Sequence, residues 1–153
     1  MTDHEHSTEI STLNTLIATT IDSITGYEDA AANIEGSSRL QQMFRERASE
    51  RRGVVEQLRT EVRRLGGDPE DGGTFMGKVH QRFLDLKAAI AGRDEKAIVD
   101  EVERGEDYLK EKFNTALGSG YLSGDVRAVV ERANQSVRSG HDQISALKHR
   151  LEA

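Results

Sequence analysis

Between Glu101 and Phe113 the chain reads Glu-Val-Glu-Arg-Gly-Glu-Asp-Tyr-Leu-Lys-Glu-Lys-Phe, and Val102, Glu106, Leu109 and Phe113 recur at helical spacing. The apolar face of that helix turns towards a core and carries Glu106 in with it. A carboxylate taken out of water needs a cation, a metal or a proton beside it. Whatever this chain folds into has to supply that partner at the height of Glu106.

The remainder of the chain repeats the helical period. Ile10, Leu13, Ile17, Ile24 and Ala31 form one stripe, which predicts a first helix from somewhere in residues 3–8 to about residue 34, with Gly36 as its stop. Ser38 and Gln41 have the spacing of a capping box, and Leu40, Phe44, Val54, Leu58, Val62 and Leu65 carry a second helix to Gly66-Gly67. Positions 47 and 51 complete that seam, and both are Arg. An Arg there can lay its stem on apolar surface and offer its guanidinium to acids of neighbouring helices. After a loop dense in Gly, Asp and Pro, a shorter helix is predicted over 75–91, then a third long helix from Glu95, capped by Asp94, to about Leu117. Gly118-Ser-Gly breaks the chain, and a last helix starts at Ser123 or Asp125, with His141 lying in its apolar stripe between Val137 and Ile144.

Strand-type alternation is scarce, so the fold class is all-α and the 153 residues suit one domain. A helix of ~15 residues spans ~22 Å. Together with its loop, the 75–91 segment is long enough to carry the chain from one end of a bundle to the other, which makes the second and third long helices parallel. The architecture expected is therefore a four-helix bundle with a short extra helix in the crossover.

Charge supports an internal match between helices. Residues 1–36 carry seven acids and no Lys or Arg, residues 37–65 carry eight Arg against four Glu, and residues 94–118 carry eight acids against four bases. A basic helix set between acidic ones is best satisfied inside the same fold. Nucleic acid is not an expected partner, because the Arg of the second helix alternate with Glu and the net charge is −6. The chain has no cysteine, which leaves His, Asp and Glu for any metal site and removes thiol catalysis. No apolar run reaches membrane-spanning length and no signal peptide is visible, so a cytoplasmic, non-membrane protein is expected.

Asp22, Glu50, Glu106 and His141 each fall near the middle of a helix, so a regular bundle brings them to one height as candidate metal ligands. Di-metal bundles take a Glu from each of two helices and a Glu-x-x-His from each of the other two. Here Gly53 stands where the His after Glu50 would be, and Arg138 where the Glu before His141 would be. Two ligands are missing and Arg51 and Arg138 add positive charge, which favours a salt-bridge layer without a cofactor over one that binds Fe, Mn or Zn. No nucleophile-base arrangement or phosphate-cradling loop is visible.

Several stretches together resemble a bacterial family of ferritin-like four-helix-bundle proteins, a domain of unknown function. They are Leu13-Asn14 through Asp22, Gly26-Tyr27 with Ala30-Ala31-Ala32, Leu65-Gly66-Gly67-Asp68-Pro69, Gly77 with His80, Glu103-Arg104-Gly105-Glu106-Asp107, and His141-Asp142. Phe83 stands where that family usually has Trp. The resemblance implies a ferritin-like bundle and no established activity. The expected role is non-enzymatic, stress-associated or scaffolding, with self-association through a helix face; the rival is a carboxylate/His metal protein in redox or storage chemistry.

Overall fold

The structure, a computed structural model, describes residues 3–34, 38–72 and 95–152. Among them every regular element is a helix: α1 Asp3–Asn33, α2 Ser38–Arg64, α3 Glu95–Gly118 and α4 Gly124–Glu152. Each helix turns the stripe its sequence marks inward, Ile10 and Ile24 of α1 and His141 of α4 being half-buried. On α3 the buried set includes Val102, Glu106, Leu109 and Phe113, so the carboxylate does go inside. On α2 the seam buries Leu40, Phe44, Val54, Leu58 and Val62 together with Arg51.

The helices sit at the corners of a square. α1 packs on α2 and α3, α4 packs on the same two, and the pairs α1/α4 and α2/α3 lie across the diagonals. Two apolar clusters fill the interior. One joins the early half of α1 (Leu13, Ile17) to the later halves of α2 (Leu58, Val62) and α3 (Phe113) and to the early half of α4 (Val130). The other joins the end of α1 (Ala30, Ile34) to the beginnings of α2 (Phe44) and α3 (Val99) and to the later half of α4 (Ile144). Hence α2 and α3 run in the same direction, antiparallel to α1 and α4, as the length of the intervening chain predicts. The helix expected over 75–91, with His80, and the Asp94 cap lie outside the described residues.

Local chemistry sets the helix ends. α2 stops in a Schellman turn, where Gly67 N–H donates to the Val62 carbonyl at 3.0 Å and Gly66 N–H to that of Arg63 at 3.0 Å. Gly66 has φ +88°, a conformation that needs glycine. The loop that follows is clamped to α1 by Asn14, whose amide donates to the Asp68 carbonyl at 3.0 Å and accepts from Glu70 N–H at 2.8 Å. The capping box expected from Ser38 and Gln41 is not formed. Gln41 Nε2 instead donates to the Ile34 carbonyl at 2.9 Å, so α2 satisfies a carbonyl at the C-terminal end of α1.

Candidate functional site

A polar layer lies between the two apolar clusters. Arg51, from the seam of α2, is 0% exposed, and Glu106, from the stripe of α3, is 1% exposed. The guanidinium reaches across the diagonal and grips the carboxylate with both arms, Nη1 to Oε1 at 2.7 Å and Nη2 to Oε2 at 2.7 Å. Nη1 also donates to Ser23 Oγ of α1 at 2.8 Å. The guanidinium lies over the Tyr27 ring, 5.8 Å from its centroid, and that ring packs on Phe44. The fourth helix contributes room: a Cβ built on Gly140 would stand 2.8 Å from Glu106 Oε2 and closer still to Arg51 Nη2. Arg51 and Glu106 are thus enclosed by all four helices, and the two charges answer each other.

Electrostatics follow from that enclosure. Burial alone would lower the Arg51 pKa, but the charge and hydrogen bonds of Glu106 outweigh it and raise the guanidinium above its ordinary value. Burial pushes the Tyr27 hydroxyl well above its ordinary range and the charge of Glu106 pushes it further, while Arg51 and Arg47 pull it back. Tyr27 is therefore a neutral phenol at physiological pH. Its hydroxyl is buried without a hydrogen-bond partner, and Arg51 Nε is likewise buried without an acceptor. A buried bidentate pair whose guanidinium leaves its Nε–H without an acceptor is weak grounds for net stabilisation.

The four candidate ligands are not gathered into one cluster. Glu106 is inside the layer and both its oxygens are bonded to Arg51. Glu50 is exposed at the α2–α4 seam, where it pairs with Arg47 and accepts from Ser136 Oγ at 2.7 Å. His141, its side chain 15% exposed, belongs to the α3–α4 seam, with Nε2 bonded to Asp107 Oδ1 and Nδ1 3.6 Å from Asp142 Oδ1. Asp22 is half-buried on α1. Among the described residues no three His, Asp or Glu side chains form a group able to hold a metal ion. Arg47 also departs from expectation. It bonds to Glu50 of its own helix and, through Nε, to Gln143 Oε1 of α4 at 3.0 Å, rather than to an acid of another helix.

Sequence reasoning missed Ser23, Tyr27 and Gly140, because none breaks a pattern on its own helix. It also missed Glu9, which is 5% exposed. Ser123 is the N-cap of α4, its carbonyl accepting from Arg127 N–H at 2.8 Å, and its own N–H donates to Glu9 Oε2 at 2.7 Å. A Glu three residues after the N-cap usually makes that second bond. Here that position is the buried Val126, and α1 supplies the carboxylate instead.

Burial would raise the Glu9 pKa, yet the Ser123 N–H and His6, 3.2 Å away, hold it below its ordinary value. A lowered carboxyl contributes stability that is complete above the unfolded-state value of about 4.3 and is lost as pH falls through the lower folded-state value. Glu9→Gln should therefore cost about 1 kcal/mol at pH 7, the range of a lost cap. The gap from wild type should shrink by pH 3, as urea unfolding at the two pH values would show. An equal gap at both would mean that the Glu9 charge is not what caps α4.

Among the described residues no helix is long and apolar enough to cross a membrane. No curated protein matches the chain. A family model described as a domain of unknown function, DUF2383, matches residues 8–119, which takes in most of α1, all of α2 and α3, and both halves of the Arg51–Glu106 pair. With that match running over most of its length, the chain belongs to the DUF2383 family of uncharacterised function.

Proposed function

We propose that this protein is a non-enzymatic bundle of the ferritin-like kind, from a bacterial family, in which a charge-neutral lock replaces a metal centre and the helix faces serve as a scaffold. The observation that carries the reading is the bidentate Arg51–Glu106 pair. It uses both oxygens of the one carboxylate that the α3 stripe takes into the core. The course of the chain, with parallel α2 and α3 across a diagonal, supports the ferritin-like label, since one long crossover between the middle helices is that architecture's mark. For self-association the described surface offers charged helix faces, Tyr121 at 47% being its exposed large apolar side chain.

Thermal unfolding of untagged, metal-stripped protein tests the reading. Adding Fe, Mn or Zn should leave the melting temperature unchanged, because a ligand raises it only when the folded state binds that ligand. His4 and His6, two residues apart near the N-terminus, can pick up metal adventitiously, so the melt is repeated with both replaced by Ala. A stoichiometric metal that raises the melting temperature of wild type, and fails to do so in Glu106→Gln and His141→Ala, would restore the metal reading.

A further inference from the structure

We infer that the Arg51–Glu106 pair, seated against Gly140, is the device by which the α1–α2 hairpin selects its register on the α3–α4 hairpin. The inference goes beyond the scaffold reading and does not depend on it. Each hairpin presents apolar side chains above and below the layer, drawn from the two clusters. Apolar contacts of this kind are non-directional and tolerate a slide of one heptad, about 10 Å along the helix axis.

The layer does not tolerate it. A slide one way would bring Arg51 level with Val99 and Glu106 level with Leu58. A slide the other way would bring Arg51 level with Phe113 and Glu106 level with Phe44. All four of these residues are fully buried in the observed register, so either slide strands two opposite charges among apolar groups. Space gives the same answer independently. Gly140 is the α4 residue beside the guanidinium, and a Cβ there would collide with Arg51 Nη2 and Glu106 Oε2. The slid registers would put Leu147 or Ala133 in its place, and both carry a Cβ. Polar groups in an otherwise apolar seam set register in coiled coils by the same penalty.

The chain has no cysteine, so labels can be placed uniquely. Ser49→Cys on α2 and Glu111→Cys on α3, both exposed, report the axial offset of the two hairpins by double electron-electron resonance. The labelled parent should give one narrow distance. With Arg51→Met and Glu106→Leu added, which keeps the volume and removes both charges, the helix content should persist and the distance should split or broaden into at least two populations. A single, unshifted distance in that variant would overturn the inference. So would its failure to fold, because the pair would then be required for stability rather than for register.

Discussion

Arg51→Ala is expected to lower the unfolding free energy by about 3–5 kcal/mol, the range for removing one partner of a buried ion pair. Two effects act together. Glu106, 1% exposed, loses both of its guanidinium bonds and is left as a carboxylate in apolar surroundings, and the volume of the side chain at the centre of the bundle is vacated. A loss of that size is a large share of the stability of a domain, typically about 5–15 kcal/mol in total. Arg63→Ala on the same helix removes an exposed side chain and should change stability by no more than about 0.5 kcal/mol. Arg47→Ala should fall between, since its partners include Gln143 and the exposed Glu50. Urea denaturation of the three variants in metal-free buffer gives the ranking. Similar small losses from all three would show that Glu106 has another way to be neutralised.

The second large effect is expected at Gly140. Replacing glycine by alanine inside a helix ordinarily stabilises it by up to about 1 kcal/mol. At Gly140 the new methyl group would meet Glu106 Oε2 at 2.8 Å, Arg47 Cδ at 3.2 Å and the end of Arg51, all within the enclosed layer. The pair would have to yield its bidentate geometry or α4 would have to move outward, and overpacking of this kind costs about 1–3 kcal/mol. Gly53, on α2, is the control, because a Cβ there meets nothing within 4 Å and Gly53→Ala should stabilise. The two variants therefore shift the urea midpoint in opposite directions. A gain at Gly140 matching that at Gly53 would mean that α4 does not press on the pair.

Periodicity sufficed for the helices because each one's apolar stripe is a local property, written at every third or fourth position whatever the neighbours do. Val102, Leu109 and Phe113 already place Glu106 in the core, and on α2 Phe44 and Leu58 bracket Arg51 in the same way. Even the parallel course of α2 and α3 could be argued from the length of chain between them. The charge pattern also named the right kind of partner for Glu106, an Arg of the basic second helix.

Which Arg it is, and what surrounds it, depended on how the helices turn about their axes. Arg47 and Arg51 are one helical turn apart and equally eligible by spacing, yet only Arg51 points across the diagonal to α3, while Arg47 lies at the α4 seam. The same rotation separates Glu50 and His141 from Glu106, although all three stand near mid-helix. Height along a bundle is legible from residue number at about 1.5 Å per residue; azimuth is set by packing against three neighbours at once. Gly140 and Glu9 show this most clearly, because each serves a group on another helix: one by lacking a side chain where Arg51 and Glu106 meet, the other by capping α4 from α1. Sequence alone determined that a charge would be buried and that helices would enclose it. The tertiary structure decided which cation would answer it, because only there do residues far apart in the chain come within hydrogen-bonding reach.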